Sequence, residues 1–176
     1  FQIPGIKTGD LKTVTQKTLR ELEDFQCDNG GFVYWKGDPC IYASPYLTSY
    51  ILHVYQRAKK LGYTVNADVM NKGCDFLEQA MGAEVKPNEA YMPAYTAWQA
   101  FALKILAEES RTVDSHLTRL YGYRDRMPVF GLSYLWDAMT AAGEKGARPA
   151  EIERRLKNAV LPEGGSAHVE ELADPY

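Results

Sequence analysis

The chain has 176 residues, of which 45% are hydrophobic and 24% charged, and its formal net charge is -3. This length and composition fit one domain with a real core and exclude a largely disordered protein. Charges of both signs are mixed along the chain and no apolar run reaches transmembrane length, so we expect neither nucleic acid nor an anionic membrane surface as a partner.

The first predicted helix is amphipathic and runs from Asp10, a residue that caps helix N-termini well, to about Gln26. Its apolar residues fall on one face, which we expect to be buried. They are Leu11, Val14, Leu22 and Phe25.

A glycine-rich aromatic loop comes next. Asn29, Gly30 and Gly31 can supply the positive φ angles of a tight turn, and we predict a short hairpin in which residues 33–35 pair with residues 40–42. Cys27 and Cys40 flank this loop. A disulfide between them would close a short loop of the kind that exported proteins use, and the alternative is that both are thiols.

The second helix has the clearest start in the chain, since Ser44 is a good N-cap and Pro45 suits the first helical position. Gly62 ends it. Two apolar stripes and a narrow polar strip predict a helix that is contacted on two sides. The first stripe is Leu47, Ile51, Val54, Tyr55 and Ala58, the second is Tyr46, Tyr50 and His53, and the polar strip is Ser49, Gln56, Lys59 and Lys60.

Five more helices follow by the same criteria. They are predicted from Asn66 to Gly82, over 91–107, from Asp114, over 130–139 and from Pro149, and the tail 161–176, which has a weak alternation, is expected to be loop or a short strand. The helix over 91–107 is apolar almost all round and is predicted to be buried, with Pro93 in its first turn. The inward residues predicted for the helix from Asn66 are Val69, Met70, Gly73, Phe76, Leu77 and Ala80. Cys74 falls in the third helix, where we expect it to pack as a small apolar residue.

Helices with one apolar face alternate along the chain with helices that are apolar on several sides. Antiparallel helix pairs with one helix in an outer layer and the other in an inner layer give this alternation. An open α-solenoid and a closed α/α toroid both fit, and the lack of a strict repeat and the loop before the second helix favour the toroid. The expected fold class is therefore all-α, a partial α/α toroid of antiparallel helical hairpins.

Four separated segments resemble one known family. Gln26, Gly30-Gly31-Phe32 and Trp35, followed by the helix start at 44–52, resemble the thioester-containing domain of the alpha-2-macroglobulin and complement family. Segments 124–127 and 166–171 are similar to the bacterial branch of that family. The resemblance covers about Leu22 to Glu171 and implies a toroid of six helical hairpins, of which residues 1–176 would be a fragment that lacks upstream and downstream parts.

The function that this resemblance implies belongs to a longer parent protein. The chain would be a non-catalytic scaffold segment of a broad-spectrum endopeptidase inhibitor that traps proteases. Its partners would be target proteases, met through the parent, and the rest of the parent chain. The resemblance also implies a periplasmic, cell-surface or extracellular location with membrane anchoring through the parent, and no cofactor.

The thioester itself needs a Cys-x-Glu-Gln turn, which this sequence does not contain. Cys74 and Gln79 are five positions apart on a predicted helix, about 140° apart around its axis, and cannot form it. In this family the thioester normally precedes the Gly-aromatic loop, so it would lie upstream of Phe1 or be absent. Some relatives carry a catalytic histidine in the loop that corresponds to 82–90, and this chain has none there.

Tyr34, Trp35 and Tyr42 form what we call the aromatic surface, and two roles are open for it. The rings could shield a reactive thioester contributed by the rest of the parent, or they could merely cover the ends of inner helices. Solvent exposure of Trp35 separates the two roles, because a buried ring that faces only this segment supports the second.

The alternative function is an α/α-toroid enzyme that acts on a sugar or isoprenoid substrate. Such chemistry needs paired carboxylates or a metal site, and Asp28 and Asp38 are the only candidates, although aspartate in turns is common. The three histidines are scattered, so we expect no metal site. They are His53, His116 and His168.

Self-association is a further expectation, because a partial toroid leaves an apolar edge where missing hairpins would pack. We expect it through the helix near Asp10 or through the last helix and tail.

Overall fold

Helices dominate the computed structural model, which describes residues 8–82 and 91–171, and the predicted mostly helical class is confirmed. The loop at 83–90, for which a missing histidine was noted, lies outside the described residues. The chain divides into two units, Phe1–Leu77 and Glu78–Tyr176. The helices are α1 (Thr8–Glu21), α2 (Pro45–Lys60), α3 (Ala67–Gly82), α4 (Met92–Glu108), α5 (Asp114–Gly122), α6 (Val129–Ala141) and α7 (Ala147–Asn158), and β1 (Val160–Glu163) pairs with β2 (Ser166–Val169).

Helix α1 is shorter than predicted, and its expected buried face was wrong. It begins at Thr8, so Asp10 lies in its first turn and is not the predicted N-cap. It ends at Glu21, where a 3-10 helix, Leu22–Phe25, begins. Leu11 and Val14, from the predicted face, are 43% and 60% exposed. Leu19 is buried instead, and its carbonyl oxygen accepts a hydrogen bond from Tyr55 Oη at 3.1 Å.

Helix α2 starts as predicted, since Ser44 Oγ accepts a hydrogen bond from Leu47 N at 3.3 Å with proline at the first position. The residues predicted for its second apolar stripe and for its polar strip were partly wrong. Tyr46 and Tyr50, from the second stripe, are exposed, whereas Ser49, from the predicted polar strip, is fully buried. Ser49 can be buried because its hydroxyl donates to the Pro45 carbonyl within the same helix, at 2.8 Å.

Helix α3 is capped by Asn66, whose Oδ1 accepts from Asp68 N at 3.1 Å. Val69, Met70 and Leu77 are buried as predicted, and so is Cys74. The start of α3 thus completes the core of the first unit.

Helices α4 and α6 form the centre of the second unit. Twelve residues of α4 are buried, in agreement with the prediction of a buried helix, and Pro93 lies in its first turn. The ring of Phe101 stacks on that of Tyr134 at 4.6 Å between centroids. A Cβ on Gly131 would lie 3.3 Å from the Cα of Ala97, so the glycine allows the two helices to approach closely.

A network of charged side chains joins α7 to α5 and to the turn after it. The carboxylate of Glu151 accepts hydrogen bonds from the Tyr121 hydroxyl, from Arg124 Nε at 3.0 Å and from Arg155 Nε at 3.1 Å. Arg155 also contacts Asp125 at 2.6 Å. These donors, the tyrosine hydroxyl first, lower the pKa of Glu151 from 4.5 to about 2.

We expect this network to make the second unit sensitive to acid. The pKa of Glu151 is lower in the folded state than in the unfolded chain. The ionised Glu151 carboxylate therefore stabilises the fold fully above pH 4.5, and this stabilisation is lost as the pH falls towards 2. Glu151→Gln should lower the free energy of unfolding by about 1–2 kcal/mol at neutral pH. The difference between wild type and variant, measured by urea unfolding, should narrow below pH 4.5.

The control variant is Glu153→Gln, on the same helix. Glu153 pairs with Lys157 at 2.7 Å, but this pair is exposed, so the change should be about 0.5 kcal/mol or less. A Glu151→Gln effect that does not depend on pH would contradict the assignment.

The tail forms a two-stranded hairpin, as the weak alternation of its sequence allowed. Across the described ranges, no helix is both long and apolar enough for a membrane span.

Candidate functional site: a disulfide-closed aromatic loop

The loop that carries the aromatic surface begins with a tight glycine turn. Cys27 N donates to the Gly31 carbonyl at 2.8 Å, and Gly30 N donates to the Cys27 carbonyl at 2.9 Å. Gly30 has φ +87°, and Gly31 N is held by Asn29 Oδ1 at 3.1 Å. The turn places Gln26 opposite Phe32 in a single antiparallel bridge.

The predicted hairpin between 33–35 and 40–42 does not form. Residues 40–42 are instead a 3-10 helix, in which Tyr42 N donates to the Pro39 carbonyl at 2.9 Å and Ala43 N donates to the Cys40 carbonyl at 3.2 Å. These local bonds use backbone groups that a hairpin ladder would need. Proline at position 39 favours such a turn, because its fixed φ suits the residue that leads into it.

The inner side of the loop is fixed to α2 and α3. Phe32 N donates to Thr48 Oγ1 at 2.9 Å, and Thr48 Oγ1 donates to the Ser44 carbonyl at 2.8 Å. Gln26 Nε2 donates to the carbonyls of Gly30 and Val69 at 3.0 and 2.9 Å. Phe32 is fully buried, so this side of the loop belongs to the core.

A disulfide joins Cys27 to Cys40, with 5.5 Å between their Cα atoms. It ties the start of the glycine turn to the start of the 3-10 helix. Asn29 Nδ2 approaches the Cys40 carbonyl at 3.4 Å across the same closure.

The outer side of the loop presents the aromatic surface to solvent. Trp35 is 75% exposed, and Tyr34 and Tyr42 are also exposed. This exposure does not support the second role, in which the rings cover the ends of inner helices. Ile41, next to Tyr42, is 86% exposed and was not predicted to be part of this surface. Its exposure could have been predicted, because it is an apolar residue between two prolines in a segment with neither helical nor strand periodicity.

The residues considered for catalysis have structural roles or no shared site. Asp28 is exposed, and the backbone N of Asp38 donates to the Trp35 carbonyl at 3.1 Å, which is a turn contact. Within the ranges 8–82 and 91–171, no three His, Cys, Asp or Glu residues are grouped as a metal ion would need. His168 faces Glu163 at 3.4 Å in the tail hairpin.

Comparison with solved structures finds several bacterial alpha-2-macroglobulins. The native Escherichia coli protein, solved by cryo-EM, is 22% identical with a TM-score of 0.76 over 89% of this chain and 10% of that chain. A crystal structure of the E. coli protein from domain MG7 to the C-terminus is 23% identical with a TM-score of 0.76 over 89% of this chain and 25% of that chain. Salmonella alpha-2-macroglobulin reacted with methylamine is 24% identical with a TM-score of 0.75 over 89% of this chain and 10% of that chain.

No protein-family model matches the chain, and no curated protein sequence matches it. The chain spans between a tenth and a quarter of the length of the matched structures. The resemblance inferred from the sequence is confirmed at the level of structure: the chain has the fold of a segment of the bacterial alpha-2-macroglobulins.

Proposed function

We propose that this chain is a non-catalytic scaffold segment of the thioester domain, also called complement-like, of a bacterial alpha-2-macroglobulin-like broad-spectrum endopeptidase inhibitor. The observation that carries the proposal is the structural match over about nine-tenths of the chain at TM-scores of 0.75 to 0.76. Matched structures include E. coli alpha-2-macroglobulin activated by trypsin and by porcine elastase. In this proposal the helices form part of an α/α toroid.

The proposed partners are target proteases, met through the intact parent, and the rest of the parent chain. The disulfide between Cys27 and Cys40 supports an oxidising location such as the periplasm or the cell surface. Anchoring to a membrane would be supplied by the parent.

The aromatic surface has the properties that a thioester shield needs. Its rings are exposed, and they sit on a loop that a disulfide and hydrogen bonds to α2 and α3 hold in place. Large apolar rings on a rigid support can exclude water and amines from a reactive bond contributed by another part of the parent. We propose this role for Tyr34, Trp35 and Tyr42.

The proposed function is tested with the full-length parent and trypsin. A trap should block cleavage of large protein substrates while small chromogenic substrates are still hydrolysed, because the protease is enclosed and its active site remains intact. A parent that leaves cleavage of both substrate sizes unchanged would refute the protease-trap proposal.

The shielding role is tested by changing Tyr34, Trp35 and Tyr42 together to serine. We expect the parent to react with methylamine, without protease, at least about tenfold faster than wild type, as the loss of one well-packed aromatic contact implies. The reaction rate is measured from the cysteine thiol that is released when methylamine opens the thioester.

The matched control changes Tyr91 and Phe130, which are also exposed, to serine and should leave the rate unchanged. Equal rates in all three proteins, or a parent with no methylamine-reactive bond, would refute the shield but not the trap.

A further inference from the structure

The segment 34–42, which carries the aromatic surface, lies between two anchored points of the chain. Val33 is 3% exposed, and its N–H donates to the Phe25 carbonyl at 3.1 Å. At the other end, Ser44 N donates to the carbonyl of the fully buried Phe32 at 2.9 Å. Neither hydrogen bond involves a cysteine, so both anchors remain when the disulfide is opened.

Between these anchors the segment makes few contacts with the core. Eight of its nine residues are exposed, and its backbone hydrogen bonds are the local turns described above. Lys36 Nζ lies 2.7 Å from Asp24 Oδ2 in an exposed pair, which contributes little to stability. Asn29 Nδ2 reaches the Cys40 carbonyl at 3.4 Å, which is long for a hydrogen bond. The disulfide is therefore the main restraint on the segment.

The two halves of the disulfide differ in their access to solvent. Cys27 is 9% exposed, and its N–H and its carbonyl are both hydrogen-bonded in the glycine turn. Cys40 is exposed, at the start of the 3-10 helix. A thiolate in solution can therefore reach the bond from the side of Cys40. Exposed disulfides of this kind are the reducible and regulatory ones, in contrast to bonds enclosed in a core.

We propose that the Cys27–Cys40 bond is a redox switch, which a dithiol reductant opens in the folded protein to free the segment 34–42 and its aromatic surface. One thiolate of the reductant attacks the sulfur of Cys40, the disulfide breaks, and Cys27 leaves as a thiolate. The second thiolate of the reductant then displaces Cys40 from the mixed disulfide. The reductant is oxidised to its own disulfide, and the two protein thiolates take up the two protons that its thiols lost.

Opening the bond should change the segment from an ordered to a mobile state without loss of the core. The anchors at Val33 and Ser44 keep both ends in place, while the residues between them regain conformational freedom. The consequence for function rests on the proposed shielding role, because rings without a fixed position do not exclude water and amines from a thioester. The reduced parent should therefore expose its thioester, and the oxidised parent should protect it.

The first test is reduction of the folded chain with dithiothreitol, followed by excess iodoacetamide and mass mapping of the labelled peptides. We expect label on Cys40 first and on Cys27 more slowly, while Cys74 stays unlabelled. Cys74 is 1% exposed in α3, so its labelling reports unfolding of the core. Labelling of all three cysteines at one rate would show that the bond opens only in the unfolded chain, and would refute the switch.

Two single variants test which sulfur is attacked. Cys27→Ala leaves the Cys40 thiol, and Cys40→Ala leaves the Cys27 thiol. An aromatic disulfide reagent should react with the Cys40 thiol at least about tenfold faster, because the Cys27 thiol becomes accessible only when the glycine turn opens. Equal rates would refute the proposed attack on Cys40.

The second test measures the methylamine reaction of the parent in the absence of any reductant. Cys27→Ala/Cys40→Ala mimics the reduced state and should react at least about tenfold faster than wild type, like the variant whose aromatic surface is changed to serine. Combining the two sets of changes should give no further acceleration, since the rings have already lost their position. The matched control is Asp24→Asn, which removes the exposed contact to Lys36 and should leave the rate unchanged.

The outcomes separate the switch from the proposed function. If the cysteine variant reacts at the wild-type rate while the serine variant reacts faster, the switch is refuted and the shield stands. If the serine variant also reacts at the wild-type rate, the shield is refuted, and the labelling pattern of the folded chain alone decides the switch. Neither result bears on the protease trap, which is tested by the size of the substrates.

Discussion

Replacing Gly30 with alanine is expected to lower the free energy of unfolding by about 3–5 kcal/mol, the sum of a steric clash and an unfavourable backbone angle. A Cβ at this position would lie 2.1 Å from the carbonyl oxygen of Lys72, a backbone atom of α3 that no side-chain rotation can move. The φ angle of +87° adds strain for any residue other than glycine. Urea unfolding followed by near-UV circular dichroism measures the change.

Gly37→Ala is the matched control. Gly37 lies in the same loop with φ +90°, but no atom lies within 4 Å of the position of its Cβ. Only the backbone strain remains, so we expect a loss of about 1–2 kcal/mol. If the two variants were equally destabilised, the close approach of the glycine turn to α3 would be refuted.

The sequence predicted helix starts well where the signal is local. Ser44 with Pro45 marks the start of α2, and Asn66 marks the start of α3, through hydrogen bonds that depend only on residues within one turn. The burial of α4 was also predictable, because a helix that is apolar on nearly all sides has few ways to face water.

Burial on α2 was harder to predict, because residue type is an ambiguous guide for serine and tyrosine. Ser49 satisfies its hydroxyl on its own helix and can be buried, whereas Tyr46 and Tyr50 remain exposed. A prediction from hydrophobic periodicity gives each serine and each tyrosine the burial that is average for its residue type. How deeply a stripe is buried depends on which other elements pack against it, and the sequence of one helix does not contain that information.

The candidate site was predictable in composition but not in conformation. The sequence placed Cys27 and Cys40 at the ends of an aromatic loop and left a disulfide and two thiols open. Their pairing depends on a glycine turn and a 3-10 helix that bring the Cα atoms to 5.5 Å. The predicted hairpin failed at the same place, because local hydrogen bonds around Pro39 outcompeted strand pairing.

Loss of the Cys27–Cys40 bond is expected to lower the free energy of unfolding by about 3 kcal/mol. The two residues are 13 positions apart, and cross-linking a loop of this length restricts the unfolded chain by about that amount. Urea unfolding of the wild type with and without reductant measures the loss. The double variant Cys27→Ala/Cys40→Ala should unfold like the reduced wild type and be insensitive to reductant.

Thiol titration in denaturant provides the check on the bond itself. Three cysteines with one disulfide predict one reactive thiol before reduction, from Cys74, and three after it. Wild-type unfolding that is the same with and without reductant would contradict a stabilising bond.

Reduction of the Cys27–Cys40 disulfide should change the folded state only locally. The inner side of the loop keeps its bonds after reduction, since Phe32 N is held by Thr48 Oγ1 and the Gln26 amide is held by Val69. Amide exchange should therefore accelerate in the segment 34–42 and stay slow at Phe32. If amide exchange at Phe32 accelerated as much as in the segment 34–42, the disulfide would stabilise the first unit as a whole. The outer part of the loop, which carries the aromatic surface, would then not be stabilised separately from the core.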